Sequence, residues 1–158
     1  MSKIFTKKNI ERFSRQIILK NVGPSGQRKI LNSKVLVIGL GGLGCPVVDQ
    51  LCRAGVGTIG IVDFDKVSLS NLHRQSLYNS KDLKKFKVDI VKRKKKLINP
   101  KIKIKKFKKK ISESNASNFC LFENDTYSTP TAAAPPKLIW DRLHKQASKL
   151  NFNYVFTK

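Results

Sequence analysis

The chain has 158 residues, 40% of them hydrophobic, and a formal charge of +23, which suits one domain with a real core and not two. Its longest apolar run, VLVIGLGGLGCPVV, is glycine-rich and shorter than a membrane span, and MSKIFTKKNIERFSRQ has no long apolar segment behind its positive charges, so neither a membrane span nor a secretory signal is expected. Cys45, Cys52 and Cys120 have neither zinc-ligand nor redox spacing and read as free thiols of a reducing cytoplasm.

In chain order, residues 7–20 carry Ile10, Phe13, Ile17 and Ile18 near helical spacing. NVGPSG breaks that helix, and Ser25 is placed to cap a short second one through GQRKIL. KVLVIG is a β-branched apolar run, the signature of a buried parallel strand. LGGLG turns the chain into a helix over CPVVDQLCRA, with Pro46 in its first turn and Gly55 and Gly57 at its end. TIGIVDFD predicts the second strand, residues 83–98 a helix stopped by Asn99-Pro100, and KIKIKKF a third strand. This alternation predicts a doubly wound, Rossmann-like parallel α/β sheet. After about residue 119 the composition changes: ENDTYSTPTAAAPP reads as linker, KLIWDRLHKQASKL as helix, and NFNYVFTK as a closing strand. The expected division is a nucleotide-binding domain over 1–111 and a divergent segment over 112–158.

Charge is concentrated in residues 81–110, which hold sixteen Lys or Arg against two Asp. Phosphate contacts with nucleic acid are one reading. The run lacks regularly interleaved aromatics for base stacking, so lysine bias is preferred and no specific nucleic acid is expected.

GLGGLG at 39–44 has the form G-x-G-x-x-G, with Gly39, Gly41 and Gly44 at the three glycine positions, after a predicted strand and opening a predicted helix. The first allows the tight turn, the second lets backbone approach a phosphate, and the third lets helix pack on strand, with the helix N-terminus turned to an anion. Asp63 stands at the end of the second strand, about twenty residues on, where an acid binds ribose hydroxyls. A nicotinamide enzyme shows the same pair. The loop that follows decides between them. Asp65, Ser70, Asn71, Arg74 and Gln75 crowd into it, and Asn71 and Arg74 share a face of any helical turn. A guanidinium and an amide aimed at one volume suit a triphosphate better than a nicotinamide.

RFSRQ at 12–16, GLGGLGC at 39–45, AGVGTIGIVDFDKVSLSNLHRQ at 54–75 and INP at 98–100 resemble the MoeB/ThiF/HesA family of adenylyltransferases, which are related to the ubiquitin-activating enzymes. The resemblance spans about residues 9–111. It implies binding of ATP and magnesium, adenylation of the C-terminal glycine of a ubiquitin-like sulfur-carrier protein ending in Gly-Gly, release of pyrophosphate, and a homodimer. Carried over by position, it sets Gly41 against the nucleotide, Asp63 on the ribose, and Asn71, Arg74 and Lys87 on the phosphates. Arg15 is the arginine given to the neighbouring subunit. The candidate binding set is Gly39, Gly41, Gly44, Asp63, Asp65, Asn71, Arg74 and Lys87, and the candidate catalytic set is Arg15, Arg74 and Lys87. The plainer reading makes Arg15 a surface residue, pairs Arg12 with Glu11 or Asp65, buries Cys45 and Cys52 in the core, and gives His73 and His144 no role.

The resemblance stops where the family carries a D-C-x-D-N motif whose last aspartate helps hold magnesium. FCLFENDTYSTP stands there instead; Asp125 is the nearest acid at the wrong spacing, and no metal ligand is assigned. KKFK also replaces the glycine that usually precedes Lys87. The expectation is a sheet incomplete relative to the family and a truncated or frameshifted member, or a short variant with a different C-terminal half. The alternative functions are an inactive nucleotide-binding remnant or binding module and, second, a basic nucleic-acid-binding protein.

Overall fold

The computed structural model describes residues 6–112, Asn115 and, as backbone, residues 153–156. Helices α1 (Lys7–Ile17) and α2 (Gly23–Asn32) lead into β1 (Lys34–Ile38), α3 (Gly44–Ala54), β2 (Thr58–Val62), α4 (Lys87–Ile98), β3 (Lys103–Phe107) and β4 (Asn153–Phe156). All strand pairs are parallel, in the order β3-β2-β1-β4. The chain therefore builds outward from β1 to β3 and returns to the other side of β1. That reversal makes a topological switch point, and ligands of open α/β sheets bind beyond the carboxyl ends of strands at such a point. The predicted doubly wound parallel α/β class is the observed one, on a small sheet.

The β-branched runs that predicted strands supply the core. Val37, Ile59, Ile61 and Ile104 on one sheet face meet Val48 and Cys52 of α3 and Val88 and Val91 of α4, all buried. Cys45 and Cys52 are core thiols, donating to the carbonyls of Leu40 (3.4 Å) and Lys95 (3.6 Å). Burial pushes both thiols above the ordinary cysteine range. No helix among the described residues is long and apolar enough to cross a membrane.

Four local expectations are corrected. Helix α2 starts at Gly23, not after a Ser25 cap. Gly23 takes φ +58°, closing the turn between α1 and α2 through its N–H to Leu19 O (2.9 Å), and Pro24 then sets the first helical turn. Helix α4 starts at Lys87, four residues later than its periodicity implies. The preceding residues form a turn, with Lys84 at φ +62°, pinned by Lys84 N–H to Val67 O and Val67 N–H to Lys85 O, both 2.9 Å, and by the Lys66–Phe86 bridge. In α1 only Phe13 is buried, while Ile18 is 70% exposed. Arg12 donates to Ile98 O at the end of α4 (2.8 Å), and not to Glu11 or Asp65.

The lysine run is partly structural. Within it Lys87, Arg93, Lys94, Lys95, Lys106 and Lys108 are ion-paired with carboxylates. Asp82 is the best enclosed of these partners. It accepts from Arg93 (2.9 Å), Lys94 (2.6 Å) and the Asn79 N–H (3.2 Å) at the approach to α4. Burial alone raises its carboxyl, but the Lys94 and Asn79 hydrogen bonds and the Arg93 charge outweigh it and hold the carboxyl below its ordinary value. A carboxyl with a depressed folded value stabilises the fold above its unfolded pKa of about 3.9, and that contribution disappears as pH falls through the folded value. Asp82→Asn is expected to lose about 1–2 kcal/mol at neutral pH. Its gap to the wild type should close below about pH 4 in urea unfolding followed across pH.

Candidate functional site

The glycine turn leaves β1 through Gly39, whose φ of +89° is a conformation that glycine adopts without strain. Its N–H donates to Val62 O (2.8 Å), so the turn is stitched to the end of β2. Asp63 follows β2 and is 8% exposed. Its Oδ2 accepts from the Leu40 N–H and its Oδ1 from the Asp65 N–H, each at 2.7 Å. One carboxylate thus clamps the glycine turn to the loop after β2. Burial pushes the Asp63 carboxyl up, opposed in part by those two N–H groups and by the charge of Lys87.

Beyond these strand ends lies a cavity of about 630 Å³. Gly39, Gly41, Asp63, Asp65, Asn71, Arg74 and Lys87 all line it. Seven of the nine candidate positions therefore share one volume, although they span 49 positions of sequence between Gly39 and Lys87. Gly44 and Arg15 do not line it. Gly44 is buried at the start of α3. Arg15 is exposed in the last turn of α1, away from the cavity of its own chain.

The loop explains how Asn71 and Arg74 come together. Leu69–Asn71 forms a 3-10 turn closed by reciprocal hydrogen bonds between Ser68 and Asn71. The N–H groups of Arg74 (3.2 Å) and Gln75 (2.9 Å) then both donate to Asn71 O. The Arg74 guanidinium is tethered to Ser70 O (3.0 Å) and lies 3.4 Å from His73 Nε2. Lys87 opens α4, is 4% exposed, and donates to Asp65 Oδ2 (3.0 Å).

Other lining residues were not candidates: Phe64, Lys66, Lys109, Lys110 and Ile111. Lys110 sits over the Phe64 ring, 5.8 Å from its centre. Lys109 and Lys110 follow β3 directly, and the rule that sites gather beyond strand ends was the available signal; the lysine run around them hid it. Gln75 also lines the cavity, and its buried Oε1 has no hydrogen-bond partner among the described residues.

The lining holds five cations, Lys66, Arg74, Lys87, Lys109 and Lys110, against two carboxylates. A cavity of that size and donor set fits a nucleoside triphosphate. Among the described residues the fit to magnesium is poor. Asp63 is occupied by two backbone donors and Asp65 by Lys87, and no cluster of three metal-ligating side chains occurs among the described residues. Cys120, Asp125 and His144 lie outside the described residues.

The profile of the ThiF family matches residues 13–126. A sulfur carrier protein adenylyltransferase of Thermus thermophilus is 39% identical over 112 residues, 71% of this chain and 41% of that protein. The adenylyltransferase and sulfurtransferase UBA4 of Vanderwaltozyma polyspora is 47% identical over 118 residues, 74% of this chain and 27% of that protein. The chain thus spans well under half the length of either relative. The E. coli tRNA N6-threonylcarbamoyladenosine dehydratase, solved in complex with ATP, superposes with a TM-score of 0.79 at 19% identity, covering 96% of this chain and 60% of that one. At that identity the likeness is one of fold.

Proposed function

The chain belongs to the ThiF family, and from that premise we propose that residues 1–111 form an ATP-binding adenylyltransferase domain that activates the C-terminal glycine of a ubiquitin-like sulfur-carrier protein. The observation that carries the reading is the convergence of Gly39, Gly41, Asp63, Asn71, Arg74 and Lys87 on one cavity at the switch point. ATP binding to the dehydratase of the same fold, and the carrier adenylylation named for the Thermus relative, point the same way.

In this reading Asp63 faces the ribose, and Asn71, Arg74 and Lys87 face the phosphates. The nucleophile is a carboxylate, ionised at neutral pH, so the site needs no general base. A carboxylate oxygen bonds to the α-phosphorus as the bond to the β-phosphate bridging oxygen breaks, and pyrophosphate carries away the electron pair. The protein's work is to hold the carboxylate in line and to oppose the charge that builds on the leaving group. Arg15, exposed on α1, is assigned to the cavity of a second copy in a homodimer.

The test is ATP–pyrophosphate exchange by the purified chain with a sulfur carrier ending in Gly-Gly. Exchange that depends on the carrier is the expected result. ATP binding without exchange, by a chain shown to be folded, would assign a nucleotide-holding module instead, a reading favoured by the engagement of both cavity carboxylates. Tighter binding of NAD than of ATP would exclude both.

A further inference from the structure

We propose that Asp65 is a positioning residue for Lys87, holding its ammonium toward the phosphate side of the cavity without itself contacting the nucleotide. The inference rests on the adenylation reading above and assigns to Asp65 a role other than direct binding.

Chemistry separates the two carboxylates. A carboxylate is an acceptor only and has no donor to offer a phosphate oxygen. Asp65 can act on a phosphate only through a cation, and it has one. Lys87 Nζ donates to Asp65 Oδ2 at 3.0 Å, with the lysine side chain 5% exposed and the aspartate 48% exposed. A buried ammonium needs a partner. Among the described residues Asp65 is the one carboxylate in ion-pair range of Lys87. One of the three ammonium donors is thereby fixed, and both side chains line the cavity.

The backbone reinforces the side chains. Lys87 N–H donates to Asp65 O (3.1 Å), so Asp65 holds both ends of the lysine. The Val67–Lys85 and Lys84–Val67 hydrogen bonds continue this contact as a short ribbon. On the other side, Asp65 N–H donates to Asp63 Oδ1, whose partner oxygen accepts from Leu40 of the glycine turn. A continuous chain of hydrogen bonds therefore runs from the glycine turn through Asp63 and Asp65 to the Lys87 ammonium. It fixes the distance between the two ends of the site that meet the phosphates.

A double-mutant cycle on the full chain tests this, with exchange kinetics, ATP calorimetry and thermal unfolding. Asp65→Asn is expected to lower kcat about 10-fold while KM for ATP moves less than about threefold. In a Lys87→Ala background the same change should alter kcat by less than about twofold, because the group it acts through is gone. Asp65→Glu, which keeps the charge, should recover most of the loss. Losses that multiply in the double variant overturn the proposal. So does a rise in KM for ATP at constant kcat, or an Asp65→Glu variant no better than Asp65→Asn. If Asp65→Asn does not fold, Asp65→Ser enters the same cycle; failure of both to fold makes the residue structural and overturns the proposal. Multiplying losses in a chain that exchanges would overturn this inference alone. A wild-type chain that neither binds ATP nor exchanges overturns the adenylation reading, and this inference with it.

Discussion

Arg74→Ala is expected to reduce ATP–pyrophosphate exchange roughly 100-fold, the loss of about 3 kcal/mol that follows removal of one fixed donor to developing negative charge. The guanidinium is set up for this. Its Nη1 is tethered to Ser70 O at 3.0 Å, and its stem lies over Gly42, where an added Cβ would meet Arg74 Cγ and Cδ at 3.7 Å. The tether limits rotation, while the fork keeps further N–H groups for the cavity. Arg74→Lys should recover only part of the rate, because a point charge cannot hold Ser70 O and an anion together. Arg74 is exposed and supports no core packing, so the melting temperature of Arg74→Ala should stay within about 2 °C of the wild type. Calorimetry with ATP separates binding from turnover. Wild-type affinity and wild-type exchange in Arg74→Ala would remove this residue from the site.

The parts of the site that the sequence made legible are those carried by local rules. G-x-G-x-x-G predicts a turn because glycine at 39 permits φ +89°, and the acid after β2 meets that turn because parallel neighbours end side by side. Asn71 and Arg74 were readable as a pair because a three-residue spacing is a local property of helical turns. Lys84 to Phe86 went wrong for the opposite reason. Their helical periodicity loses to hydrogen bonds with Val67 and a bridge to Lys66, contacts seventeen to twenty residues away in sequence. Ile18 shows a related limit: periodicity marks an apolar face without saying whether anything covers it. The closing strand was visible in NFNYVFTK by its composition, but its place beside β1 in the parallel order is a long-range fact.

Gly57→Ala is expected to cost the fold about 3 kcal/mol or more, which lowers the melting temperature by roughly 6–12 °C for a domain of this size. The cause is backbone, not conformational preference. A Cβ at Gly57 would lie 2.1 Å from Leu31 O, and a carbonyl oxygen cannot turn aside as a flexible side chain can. Nor can Gly57 retreat. Its own carbonyl accepts from Lys103 N–H (3.0 Å), and the next residue donates to Ser33 O (3.1 Å), so both neighbouring strands fix its position. Relief requires moving the end of α2 away from the start of β2, at the opposite end of the sheet from the cavity. Gly42→Ala is the matched control within the glycine turn. Its Cβ would meet Arg74 at 3.7 Å, an ordinary van der Waals contact, so the fold should lose no more than about 1 kcal/mol. Thermal unfolding of the two variants side by side decides the matter. A Gly57→Ala protein that melts within about 2 °C of the wild type would mean that α2 and β2 are not packed as closely as the 2.1 Å approach requires.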